Sequence, residues 1–169
     1  TIAMNQRFGL IRDLLGDLLQ PRSIIVRNDS PMLLAEGIEP ETYVAAGEQP
    51  EPFVATGRGL SFVVDLATGQ KTGLYLDQMD NYQAVARFAR GRRVLDCFCN
   101  QGGFALACAK AGAASVTAVD ISEEAIASVR RNAELNGVQV EAVADNAFDF
   151  LKRESDLVRH GADPKWDLI

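Results

Sequence analysis

Histidine occurs once in the 169 residues, at His160, and cysteine three times, at Cys97, Cys99 and Cys108. One histidine and a Cys-x-Cys pair with a third cysteine nearby leave a zinc-type site short of a ligand, so no metal is expected. An odd, closely spaced set of cysteines gives no disulfide framework and fits a reducing cytoplasm. No apolar run approaches the roughly 20 residues that span a bilayer. The opening TIAMNQRFGL lacks a basic stretch leading into an apolar one, so neither a membrane anchor nor an export signal is expected. Basic residues are also in the minority: the net charge of −6 excludes a surface that grips nucleic acid everywhere. Arg87, Arg90, Arg92 and Arg93 form one local basic run, read as a solvated helix end in preference to an RNA patch.

What the chain does have is 47% apolar residues, enough for an ordinary core in one large or two small domains. Residues 4–19 repeat apolar side chains at helical spacing, with Phe8, Ile11, Leu14, Leu15 and Leu18 on one stripe, and Pro21 ends the segment. SIIVR (23–27) reads as a strand, residues 28–51 as mostly loop, and PFVAT (52–56) with LSFVVDL (60–66) as a β-hairpin turned by 57–59. From residue 92 onward strands and helices alternate: strands over 92–96, 115–120, 138–144 and 165–169, helices over 103–112, 122–137 and 147–161. Short connections between them mean right-handed βαβ units and a parallel sheet with helices on both faces. Ser122 caps its helix, Glu123 and Glu124 suit the positive end of the macrodipole, and Asn136-Gly137 stops it. KWDLI reads as a strand at the point where the sequence ends, so a fragment of a longer protein is expected.

The stretch DCFCNQGGF, Asp96 to Phe104, joins a strand to an alanine-rich helix. A Walker loop would need Gly-Lys-Ser/Thr, and a dinucleotide fingerprint Gly-x-Gly-x-x-Gly; neither spacing is present. Gly102 and Gly103 suit close approach of backbone to a ligand at a helix N-terminus. Asp120 ends the second strand, where a carboxylate can accept from ribose hydroxyls, and Asp145 follows the third, within reach of an exocyclic amine. An acid after each of three consecutive strands points to an adenosine-type cofactor. Cys97 and Cys99 read as small buried residues, since thiol chemistry needs an electropositive setting.

These motifs resemble those of the class I S-adenosylmethionine-dependent methyltransferases and are similar to the ribosomal RNA large-subunit enzymes of the 5-methylcytosine type. Asp96, Phe98, Gly102, Gly103 and Phe104 match the family's Asp-x-Phe and Gly-Gly-Phe, Gly69 to Gly73 its Gly-Gln-Lys-Thr-Gly, and Leu76 to Gln78 its Leu-Asp-Gln. The resemblance implies a Rossmann-like α/β fold. A small α+β domain over 1–72 would precede the N-terminal half of the methyltransferase domain over 73–169. It also implies S-adenosylmethionine held by Asp96, Phe98, Asn100, Gly102 and Gly103, by Asp120 with Ser122, by Asp145 with Asn146, and by Gln78. Ribosomal RNA would be the substrate of the full-length protein, with no membrane or metal partner and with a homodimer open beside a monomer.

Two departures stand out. The family commonly carries arginines at the positions of Met79 and Tyr82, and its Asp-Pro-Pro motif and nucleophilic cysteine lie beyond a strand like WDLI. No catalytic residue is therefore assigned. Alternatives stay open: methylation of guanine N2 or another RNA atom, a non-catalytic nucleotide-binding module, and an NAD-linked dehydrogenase. Asp96 either contacts the cofactor or caps the loop, and Asp145, Asn146 and Asp149 compete to cap the third helix. Lys71 reads as a surface or domain-contact residue.

Overall fold

A computed structural model describes residues 2–66 and 73–169. Lys71 and Gly69 to Thr72 of the Gly-Gln-Lys-Thr-Gly element lie outside the described residues. The chain divides into two compact units, one of residues 1–52 with 65–73, the other of 53–64 with 74–169. The division differs from a cut at residue 72 in giving the hairpin 53–64 to the second unit.

In the first unit the helix expected over 4–19 is two helices, α1 (Ile2–Gln6) and α2 (Phe8–Leu19), interrupted at Arg7 with φ −105° and ψ 6°. Gln20, in a left-handed conformation ahead of Pro21, closes α2 by donating its N–H to Gly16 O. Strand β1 (Ser23–Asn28) pairs antiparallel with β2 (Glu41–Gly47), and Phe8 meets Tyr43 edge-on at 6.4 Å. The loop expected over 28–51 is corrected by β2 and by a 3-10 turn at Pro31–Glu36. Thr42, Tyr43 and Val44 are good strand formers, but glycine, proline and glutamate on either side hide them.

The second unit begins with the antiparallel hairpin β3 (Phe53–Gly57) and β4 (Leu60–Val64). Arg58 and Gly59 both take positive φ, 51° and 77°, the requirement of a two-residue type I′ turn. Alternation is strict in β4: Leu60, Phe62 and Val64 are buried, Ser61 and Val63 partly so. Helix α3 (Met79–Ala86) follows, and the arginine run begins at its C-terminal cap, Arg87. Strands β5 (Arg93–Cys97), β6 (Ser115–Asp120) and β7 (Glu141–Ala144) form a parallel sheet in that order. Helices α4 (Gly103–Lys110), α5 (Glu123–Asn136) and α6 (Ala147–Arg159) make the connections. Val94, Val116 and Ala118 pack with Ala105, Cys108, Ile126 and Val129 in one core cluster, while Leu95 and Val119 pack with Ala147 in another. Successive residues of a strand thus enter different cores, as a sheet covered on both faces requires.

The strand expected over 165–169 is a single parallel bridge between Leu168 and Val94 on the outer side of β5. Leu95 N–H donates to Leu168 O at 2.9 Å, and Asp167 N–H to Arg93 O at 2.8 Å. Asp167 also receives Arg93 through Nη2 at 2.7 Å, Nε at 3.0 Å and the backbone N–H at 2.9 Å. That pairing holds the Asp167 carboxyl well below the usual carboxylate range. The chain therefore runs outward from β5 through β6 and β7, then returns to the other side of β5. In open α/β sheets such a reversal opens a crevice at the carboxyl ends of the strands that flank it.

Candidate functional site

The loop at that reversal, 98–102, joins β5 to α4. Phe98, Asn100 and Gly102 take positive φ of 58°, 47° and 82°. A left-handed phenylalanine is uncommon, and such conformations gather at ligand-holding loops. Hydrogen bonds fix this one to β6 and to itself: Cys99 N–H donates to Val119 O at 3.1 Å and Gly102 N–H to Cys99 O at 2.7 Å.

Asp96 is buried, and its Oδ2 accepts from Ala105 N–H at 3.0 Å in the first turn of α4. That bond caps the helix after the loop and uses one of the two carboxyl oxygens. Burial pushes its carboxyl up to about 7, the Ala105 bond pulls it back, and the Asp120 charge adds to the rise. Asp120 holds the loop to its own strand: Oδ2 accepts from Asn100 N–H at 2.9 Å and Oδ1 from Ser122 N–H at 3.0 Å. Each oxygen keeps a lone pair for a further donor. Ser122 caps α5 as expected, its Oγ accepting from Ala125 N–H at 3.2 Å.

Asn146, not Asp145 or Asp149, caps α6, with Oδ1 accepting from Phe148 and Asp149 N–H. Asp145 is ion-paired with Arg153, and its backbone N–H meets Asp120 O at 2.9 Å. Gln78 sits in a 3-10 turn, its Oε1 accepting from Asn81 Nδ2 at 3.0 Å.

The two glycines have a second explanation besides ligand approach. A Cβ on Gly103 would lie 2.2 Å from the Tyr82 ring, and one on left-handed Gly102 would lie 3.1 Å from Val129. Tyr82 is buried edge-on to Phe104 with centroids 4.7 Å apart, and burial pushes its hydroxyl up to about 12. Met79 lies against Gly57. The two positions where the family commonly has arginine are thus spent on packing.

The cysteines are free thiols, Cys99 and Cys108 buried. Burial raises all three, Cys108 to about 11, the opposite of what a nucleophile needs. Among the described residues no three His, Cys, Asp or Glu gather as a metal site, and no helix is long and apolar enough to cross a membrane.

Sequence reasoning singled out Phe98 but missed two apolar companions, Ile121 and Phe148, at the same edge of the sheet. Phe98, Ile121 and Phe148 follow β5, β6 and β7 and are 58%, 72% and 71% exposed, and the two phenylalanines meet at 5.3 Å. Large apolar side chains left open beside carboxylates suit a ligand with an aromatic face and hydroxyl or amine donors. The available signal was positional, one apolar residue in each connection just past a strand end. A groove of about 820 Å³ between α4, α5 and the starts of β6 and β7 lies at the opposite edge, away from these groups.

The S-adenosylmethionine-dependent methyltransferase family matches residues 32–168. The chain belongs to that family. Its cofactor, S-adenosylmethionine, combines an adenine face, ribose hydroxyls and an amine, and the carboxylate acceptors and apolar groups at this edge fit it. A ribosomal RNA large subunit methyltransferase I from Aeromonas hydrophila is 45% identical over 162 residues, which cover 95% of this chain and 40% of that protein. The chain therefore spans well under half the length of that curated relative. An S-adenosylmethionine-dependent methyltransferase from Agrobacterium tumefaciens superposes with a TM-score of 0.68 at 21% identity, covering 87% of this chain and 45% of that one. One from Streptococcus mutans reaches 0.63 at 29% identity over 69% of this chain and 32% of that one.

Proposed function

We propose that residues 1–169 form the cofactor-holding part of an RNA methyltransferase acting on large-subunit ribosomal RNA, with C5 of cytosine as the methylated atom. The observation that carries the reading is the row of Asp96, Asp120 and Asp145 at the carboxyl ends of three adjoining parallel strands. S-adenosylmethionine supplies an electrophilic methyl group on a sulfonium. The chain's own residues do the holding. Asp120, fixed by two backbone donors, accepts the ribose hydroxyls. Phe98, Ile121 and Phe148 keep water from the adenine, and Asp145 accepts its amine after exchanging part of its pairing with Arg153.

Cytosine C5 is a weak nucleophile, so a thiolate adding at C6 would have to activate it. Cys97, Cys99 and Cys108 are not set up for that step, and the reading assigns no catalytic residue within 1–169. The ribosomal RNA substrate is carried over from the Aeromonas hydrophila relative's name and identity. A cytoplasmic location fits the free cysteines.

Calorimetric titration tests the cofactor reading: S-adenosylhomocysteine should bind and NAD should not, with Asp120→Ala abolishing the heat. For the substrate, a protein of the relative's full length that includes these residues should transfer labelled methyl to large-subunit RNA. Methyl appearing on guanine N2, or none at all, would remove the C5 assignment.

A further inference from the structure

We infer that Asn132 is a positioning residue for the cofactor loop, holding its Gln101 carbonyl and tying that loop to the hairpin at β4. The proposal rests on the reading that loop 98–102 holds the cofactor. Asn132 lies in the middle of α5 and is wholly buried. Asparagine is a poor helix-interior residue because its amide competes with the backbone, so a buried one requires partners. It has them on two sides: Oδ1 accepts from Val63 N–H at 2.9 Å, and Nδ2 donates to Gln101 O at 3.1 Å. Val63 is 69 residues away in sequence and Gln101 is 31.

Asn136, one turn further along α5, completes the arrangement on the hairpin side only. Its Oδ1 accepts from Ser61 N–H at 2.9 Å, and its Nδ2 donates to Ser61 O at 2.6 Å and Asn132 O at 2.7 Å. The two carboxamides serve alternate residues of β4, Ser61 and Val63, as a neighbouring strand would, and so cover the free edge of a two-stranded sheet. Of the two, Asn132 alone reaches the loop. Gln101 stands between left-handed Asn100 and left-handed Gly102. Its carbonyl is therefore a point at which one hydrogen bond sets the direction of the turn. Gly102, next in sequence, rests on Val129 of the same helix face.

The pair gives a matched comparison. Asn136→Ala should loosen the hairpin and lower the unfolding midpoint, leaving S-adenosylhomocysteine affinity within twofold. Asn132→Asp keeps the acceptor for Val63 and turns an oxygen toward the Gln101 carbonyl. It should weaken that affinity by about tenfold under conditions where the protein is fully folded. It should also speed amide exchange at residues 99–102, which Asn136→Ala should not. Asn132→Ala serves if the buried charge prevents folding. In the wild-type chain, the Asn132 side-chain amide signal should shift on adding S-adenosylhomocysteine while that of Asn136 stays put. Unchanged loop exchange in folded Asn132 variants overturns the proposal. Faster loop exchange in a protein that never binds S-adenosylhomocysteine, variant or wild type, keeps the tether but removes the cofactor reading.

Discussion

The ring of Tyr82 fills the space that a side chain at Gly103 would need: a Cβ there would sit 2.2 Å from its Cζ and 2.5 Å from Cε2. The glycine that opens α4 is therefore fixed by α3 as well as by any ligand. Gly103→Ala should destabilise the fold by about 1–3 kcal/mol, the usual cost of overpacking. The same change in a Tyr82→Leu background should cost less, and equal losses in the two backgrounds would mean the ring is not the obstacle. Denaturant unfolding of the four proteins measures this directly.

Asp96 gives a pH signature of defined sign. Its carboxyl titrates near 7 in the folded protein against an ordinary value near 4. Between those values the folded state holds a proton that the unfolded chain has released. Stability from this group is thus full below about pH 4 and is lost as pH rises through 7. Asp96→Asn keeps an acceptor for Ala105 and cannot ionise. Urea midpoints from pH 4 to 8 should fall more steeply in the wild type than in this variant; parallel curves would contradict the assignment.

Arg153 and Asp145 compete with any ligand for one carboxylate. Asp145→Ala should weaken S-adenosylhomocysteine binding by roughly tenfold, as loss of a charged acceptor does. Arg153→Ala should strengthen it, with a stability change under about 1 kcal/mol because the pair is exposed on the arginine side. Opposite effects on calorimetric affinity are expected. Weakening by both would assign Arg153 itself to the ligand.

The alternation from β5 to α6 was legible because each element carries its own signal: apolar runs of strand length, Ser122 and Gly137 as start and stop, and short connections. Strand β2 was not, since its pairing with β1 outweighs a flanking sequence that favours turns. The places of the three carboxylates at or just past strand ends could be read from the sequence. How Asp145 and Asn146 divide the work could not, because either residue type can cap a helix and only the position of Arg153 decides. Asn132 was not legible, and Asn136 read only as part of the helix stop, because their partners Val63, Gln101 and Ser61 lie 69, 31 and 75 residues away and leave no local signal.

The bridge at Leu168 sets a timetable for synthesis. Strands β5, β6 and β7 can pair in the order in which they leave the ribosome, each beside the one before it. The outer side of β5 has to wait until residues 167–168 emerge, and the Arg93 to Asp167 clasp closes a loop of 74 residues. During that interval β5, whose Val94, Leu95 and Asp96 end up buried, is an open edge, the form in which a chain is most exposed to pairing with its neighbours.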